Sequence, residues 1–219
     1  MNYRKHGLKA LGLSLLTALG LMAFTAVGAQ AADWLIGGKA LTGLAASESV
    51  TGEQVGTENN LLILKLNLTL QCAEAEVGGA TIKAGGTGSG TISFSECHVL
   101  DAEKKEAACT LVEPIEAAVN AEVVLHEGGN YVLFKPQGEA FAVVETTGGV
   151  CPLPEEAEVK GSVLAKVTTN NARPMVISTS GTLGLLSTGL QYGVHVSHLT
   201  ATANVFNAGP YALATLGVH

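Results

Sequence analysis

The feature that most constrains the fold is a two-residue alternation of apolar and polar side chains over residues 61–77. Successive side chains of a β-strand point to opposite faces, whereas a helix would spread the same leucines around its circumference. The pattern therefore predicts one strand with a single buried face. That face comprises Leu62, Leu64, Leu66, Leu68, Leu70 and Cys72, opposite Lys65, Asn67, Thr69 and Gln71.

The alternation breaks after Cys72. Continuing it in the same register would turn Glu74 and Glu76 inward and leave Ala73 and Ala75 outside. Because buried carboxylates are costly, we expect a bulge or a strand end near Cys72.

Short runs with the same period recur along the rest of the chain. They cover residues 91–94, 119–125, 131–134, 141–143 and 159–167, and residues 175–206 should add roughly three or four more strands. Residues 127–130 contain Gly-Gly-Asn and predict a hairpin loop. The only helical candidate covers residues 102–108, about one or two turns. We therefore predict an all-β protein, an antiparallel β-sandwich or open barrel of about ten strands.

The first 31 residues have the three parts of a secretory signal peptide. A basic patch precedes an apolar stretch over residues 11–27, and Ala29 and Ala31 supply the small residues that signal peptidase requires. We expect cleavage after Ala31, which leaves residues 32–219 as a single β-rich domain in a secreted or periplasmic location. The basic residues are Arg4, Lys5 and Lys9.

The alternative is that residues 8–27 remain as a membrane anchor, since about 20 apolar residues can cross a bilayer. Glycines interrupt the stretch, and no basic cluster follows Ala31 as a stop-transfer signal would require. Ala32 also stands where the lipoprotein pathway needs a cysteine. We therefore expect no stable membrane insertion after cleavage.

The mature chain is acidic. It keeps nine of the 12 basic residues against 19 acidic ones, and nine minus 19 gives a net charge of −10. Such a field repels phosphate backbones, so we expect no nucleic-acid partner.

Four cysteines, Cys72, Cys97, Cys109 and Cys151, lie in the mature chain. An even number in an exported protein predicts two disulfides, and three pairings are possible. We favour Cys72 with Cys97 and Cys109 with Cys151, because the first pair would link two strands that should be neighbours. The Cys-x-x-Cys spacing of zinc sites is absent.

Several sequence features resemble catalytic or ligand-binding motifs, but none has the pattern that the chemistry needs. The glycine-rich residues 85–90 lack the lysine and the following helix of a phosphate loop. His195 and His198 lie three apart, so on a strand they face opposite sides and would not share a metal. His98 and His126 have no partner nearby in sequence.

Carboxylates cluster at residues 103–106 and 155–158. A glycosidase could use two of them, but solvated loops are the simpler interpretation. We predict no catalytic residue, no metal site and no cofactor.

The positions of four aromatic residues discriminate between the hypothesis of a binding protein and that of a structural protein. A binding protein should line a groove with Tyr131, Tyr192, Tyr211 or Trp34, whereas a structural protein should bury or scatter them. Trp34, followed by Leu-Ile-Gly-Gly, is expected to dock on the core.

Several short strings resemble a family of uncharacterised exported bacterial β-rich proteins with paired cysteines. The strings are residues 34–41, 94–97, 109–110, 133–136 and 159–163. The resemblance implies an exported β protein with cysteines and brings no activity with it, and it does not extend beyond Met175. We expect a structural or binding component of the cell envelope or extracellular space, with an envelope or glycan partner. The alternative is a secreted carbohydrate-binding or carbohydrate-active protein.

Overall fold

The computed structural model describes residues 32–56, 59–126, 128–148, 150–179 and 190–219. The predicted signal peptide lies outside these residues, so its cleavage stays a prediction. Within the described ranges the chain forms sixteen strands and one 3₁₀ turn, Leu41–Gly43. The strands are β1 (Trp34–Ile36), β2 (Lys39–Ala40), β3 (Ser47–Gln54), β4 (Asn59–Ile63), β5 (Leu68–Lys83), β6 (Thr87–Leu100), β7 (Thr110–Leu111), β8 (Ile115–His126), β9 (Gly129–Pro136), β10 (Ala142–Thr147), β11 (Glu156–Lys160), β12 (Val163–Thr169), β13 (Met175–Thr179), β14 (Leu190–Tyr192), β15 (His195–Asn207) and β16 (Leu216–Val218).

Eight strands form a closed antiparallel ring. Its order is β3, β5, β6, β8, β9, β12, β13 and β15, and β15 pairs back with β3. The predicted all-β antiparallel class is therefore confirmed. The strand count exceeds the predicted ten partly because very short strands such as β2 and β7 carry no visible pattern.

Three ring strands, β5, β6 and β15, continue past the ring into a second region, which we call the extension. There β4 pairs with β5 and β15, while β14, β11, β10 and β7 follow β15 in that order. The ring and the extension each enclose a hydrophobic core. A small sheet of β2, β1 and β16 packs its buried side chains into the ring core.

The leucine-rich segment is a hairpin and not the single strand predicted. β4 ends at Ile63, residues 64–67 form a turn, and β5 begins at Leu68. Leu68, Leu70 and Cys72 are buried as predicted, but Leu62 and Leu64 are 39% and 42% exposed. Their neighbours Leu61 and Ile63 are buried instead. The leucine alternation continues through the turn at residues 64–67. The sequence pattern therefore does not indicate that the buried residues are odd-numbered before the turn and even-numbered after it.

β5 does not end near Cys72, although its buried face changes there. Cys72 is buried, whereas farther along the strand Ala75 and Val77 take the inward positions and Glu74 and Glu76 are exposed. The bulge itself lies later, between Gly78 and Thr81. The expectation that the two glutamates do not turn inward is correct, but the predicted strand end is wrong.

Side chains satisfy the backbone where the face changes. Glu96, the residue before Cys97 on β6, has a φ of 53°. The Glu113 carboxylate accepts from the amides of Glu96 and Cys97, each at 2.7 Å, and the Gln54 amide donates to the Ala73 carbonyl at 2.9 Å. These bonds satisfy the amides of Glu96 and Cys97 and the carbonyl of Ala73 where the strands pass from the extension into the ring.

Residues 102–108 form turns, not the predicted helix. The Asp101 carboxylate accepts from the amides of Glu103 and Lys105 at 2.8 and 2.9 Å, and Lys104 has a φ of 61°. Such local side-chain bonds compete with helical ones, which explains the error.

Two other predictions, the hairpin at residues 127–130 and the strand at residues 159–167, agree with the structure to different degrees. The predicted hairpin between β8 and β9 is confirmed, but its loop is shorter than the predicted residues 127–130, because Gly129 and Asn130 already pair with β8. Residues 159–167, however, form parts of two strands, because the chain bends at Gly161, whose φ is 109°.

Candidate functional site

Both favoured disulfides are present. Cys72 and Cys97 lie directly opposite each other on β5 and β6, with an S–S distance of 2.05 Å. Cys109 and Cys151 join the segment before β7 to the segment after β10, with an S–S distance of 2.11 Å. All four side chains lie in or against the extension core. The two bonds therefore crosslink the extension and its junction with the ring.

The glycine-rich residues 85–90, interpreted from the sequence as an inter-strand loop and not a phosphate loop, form only in part a turn between β5 and β6, because residues 87–90 already belong to β6. The amides of Gly85 and Gly86 donate to Oδ1 of Asp33 at 3.1 and 3.3 Å. An internal carboxylate thus occupies the place where a phosphate loop would hold its anion.

Asp33 ties several elements together. Its carboxylate also accepts from the Trp34 amide at 2.8 Å, from the Thr42 amide at 3.1 Å and from the Thr42 hydroxyl. Burial by itself raises the pKa of Asp33, but the hydrogen bonds from Thr42, Trp34 and Gly86 outweigh it, so the pKa lies below its usual value. Asp33 is therefore a structural anion.

The predicted histidine positions are confirmed in part. His195 and Ser197 share the inner face of β15, whereas His198 pairs with the exposed Leu62 on the outer face. His98 has a partner after all, since its Nδ1 lies 2.8 Å from Oε1 of Glu106. No group of three metal-ligating side chains occurs in the described part of the chain.

The second carboxylate cluster and His195 border one surface cleft at an end of the extension. The cleft is lined by β11, the β14–β15 turn and Leu66 of the β4–β5 turn. Glu156, Glu158 and Lys160 occupy alternate positions of β11, opposite in direction to its buried Ala157 and Val159. This proximity depends on the pairing of β11 with β14, so no local sequence pattern indicates it.

The charges and polar atoms of the cleft are arranged for hydrogen bonding. Lys160 Nζ lies 2.6 Å from Oε2 of Glu158, and this bond raises the pKa of Lys160. His195 Nδ1 and the Tyr192 hydroxyl are buried and have no hydrogen-bond partner among the described residues, and burial raises the pKa of Tyr192 to about 12. Glu156 and Glu158 stand side by side on one strand, whereas a glycosidase acid and base flank the bond that they cleave. The cleft therefore suits polar binding better than glycoside hydrolysis.

The four aromatic residues do not form a groove. Trp34 is 3% exposed and lies in the ring core, as predicted, where its Nε1 donates to the Thr87 carbonyl at 2.8 Å. Tyr131 is also buried, Tyr192 lies in the extension core and Tyr211 packs against the ring core. This distribution agrees with the structural hypothesis.

The ring contains a partly open apolar cavity of about 130 Å³, which sequence reasoning missed. A second, smaller space of about 40 Å³ lies next to the cavity. Phe94 and Phe141 line both spaces. The alanines at inward strand positions are the one sequence feature that could have indicated a cavity. Small side chains leave a space only where the strands that carry them face each other, and the sequence does not show which strands do. The lining of the larger cavity includes Trp34, Ile92, Ala121, Phe134, Ala165 and Ala203.

Within the described residues, no helix has the length and apolar character that a membrane crossing requires. The chain matches no protein-family model, and no curated protein and no solved structure matches it. The resemblance to exported bacterial proteins stays a prediction, so the functional argument depends on the geometry and on the sequence itself.

Proposed function

We propose that this chain is an exported structural or binding component of the cell envelope or the extracellular space. The observation that carries the proposal is the pair of disulfides, Cys72–Cys97 and Cys109–Cys151. Such bonds persist in oxidising compartments and are rare in the cytosol.

Three other features support the proposal. The first 31 residues have the pattern of a signal peptide, the mature chain is acidic, and its aromatic side chains stabilise the two cores. In the chain-entropy model, closing a loop of about 25 residues contributes on the order of 3 kcal/mol. That contribution is useful where cytoplasmic chaperones cannot act.

Export is tested by expressing the full chain in its own host and sequencing the amino terminus of the extracytoplasmic protein. We expect the chain to begin at Ala32, and we expect Ala31→Arg to leave an uncleaved precursor. Recovery of the wild-type chain in the cytosol, uncleaved and with four reduced thiols, would contradict the proposal.

Carbohydrate binding is the second candidate function, and the cleft is the observation that favours it. Glu156, Glu158 and Lys160 offer acceptors and donors to sugar hydroxyls. Against it, every aromatic side chain in the described residues is buried or half-buried, which leaves no open ring face for a sugar to stack on.

This second candidate is tested by calorimetric titration with soluble envelope oligosaccharides. Glu158→Gln should weaken a genuine interaction by roughly tenfold, equivalent to about 1.4 kcal/mol. Glu103→Gln, which changes an exposed carboxylate away from the cleft, should leave it unchanged. Heat signals that are absent, or equal for the two variants, would remove the candidate.

A further inference from the structure

We propose that the ring cavity is a binding site for one small apolar molecule, or for one short hydrocarbon group of a larger molecule. This inference goes beyond the proposed function, because a structural component needs no ligand. It also differs from the carbohydrate candidate in both place and chemistry.

The size of the cavity is the first argument. Protein interiors are packed closely, and few natural voids exceed the size of a water molecule. The ring cavity holds about 130 Å³. An engineered apolar cavity of about 150 Å³ in another protein stays dry and binds benzene. The space is therefore of the size that a benzene ring or a short alkyl chain fills.

The chemistry of the lining is the second argument. The two fully buried side chains of the lining that carry polar atoms have partners within the protein: Trp34 Nε1 donates to the Thr87 carbonyl, and the Asn59 amide donates to Oε1 of Gln54. Half-buried or exposed polar side chains, among them Glu53, Thr81 and Ser89, lie at the margins of an otherwise apolar lining. The Thr179 hydroxyl donates to the Leu199 carbonyl at 2.9 Å. A buried water needs two to four polar partners, and a polar ligand loses its hydration without compensation. The lining therefore favours an apolar ligand over one that needs hydrogen bonds.

Trp34 supplies a direct reporter. It is the only tryptophan of the chain, it is buried, and it lines the cavity. A heavy-atom quencher of the right size, bromobenzene, should therefore quench its fluorescence from inside the cavity. We expect saturable quenching in the mature protein with both disulfides intact, whereas free N-acetyltryptophanamide should show only a linear concentration dependence.

Competition defines the ligand class. Benzene should reverse the quenching, whereas pyrimidine, a ring of similar size with two hydrogen-bond acceptors, should compete at least tenfold more weakly. Equal competition by both compounds would contradict the selection for apolar ligands.

Two variants on one strand locate the site. Ala121 lines the cavity and Ala118 is exposed on the same strand, β8. Ala121→Leu should fill the space and weaken bromobenzene quenching at least tenfold, while Ala118→Leu should bind as the wild type does. If Ala121→Leu does not fold by circular dichroism, Ala165→Leu fills the same cavity from β12.

Linear quenching in the wild-type protein, or equal quenching in the folded cavity-filled variant, would overturn the inference. Either result would leave the export proposal standing, since amino-terminal processing and disulfide formation are measured separately.

Discussion

At the scale of single residues, Asp33 shows how a polar side chain can be buried and still stabilise the fold. It is 3% exposed, and its carboxylate accepts hydrogen bonds from the 3₁₀ turn, from β1 and from the β5–β6 turn. Apart from Trp34, its partners lie nine or more residues away in sequence, so no local pattern singled it out. The same contacts explain why the neighbouring glycine-rich loop does not need an external anion.

We predict that Asp33→Asn lowers the free energy of unfolding by about 2 kcal/mol at pH 7, because hydrogen bonds to charged groups contribute about 1.5–3 kcal/mol. The pKa of Asp33 is lowered in the folded state, so its stabilisation is present above the unfolded value of about 4. It is lost as the pH falls through the folded pKa. Urea denaturation of both proteins should therefore give a difference that shrinks in acid.

Glu116→Gln is the matched control, because Glu116 is exposed on β8. It should change the free energy of unfolding by less than about 0.5 kcal/mol. A difference between Asp33→Asn and wild type that stays constant down to pH 2 would show that the charge of Asp33 is not the cause.

At the scale of elements, the sequence predicted strand type better than strand ends. Two-residue alternation is local, so the runs in β6, β8 and β9 were found correctly. The β4–β5 turn was missed because leucines occupy alternate positions on both sides of it. The β13–β15 pairing that closes the ring, and the β11–β14 pairing that builds the cleft, join distant segments and leave no local pattern. The Cys72–Cys97 pair was predictable because β5 and β6 are consecutive.

The hairpin register makes a sharp prediction. Ile63 is fully buried and Leu62 is 39% exposed, whereas one continuous strand would bury Leu62 instead. Ile63→Ala should lower the free energy of unfolding by about 2–5 kcal/mol, and Leu62→Ala by less than about 1 kcal/mol. Chemical denaturation of the two variants measures the difference, and the reverse order would contradict the hairpin.

At the scale of the whole molecule, three strands, β5, β6 and β15, run through both the ring and the extension. The two cores therefore share backbone, and we expect the described domain to unfold in one transition. The disulfides lie in the extension and at the junction, so they restrain the unfolded chain where the sheet is open. The ring is closed by strand pairing and depends less on crosslinks.

Removing the junction disulfide by Cys72→Ala with Cys97→Ala should lower the free energy of unfolding by about 2–4 kcal/mol. Denaturation with fluorescence detection, compared with the fully crosslinked protein, measures the loss. An unchanged midpoint would mean that the bond does not restrain the unfolded chain.

The account depends most on a crosslinked β domain formed in an oxidising compartment. Peptide mapping of the protein purified from its own host, by mass spectrometry without reduction, tests this directly. We predict two linked peptide pairs, one joining Cys72 to Cys97 and the other joining Cys109 to Cys151. Free thiols at all four positions, or a bond between Cys72 and either Cys109 or Cys151, would contradict it.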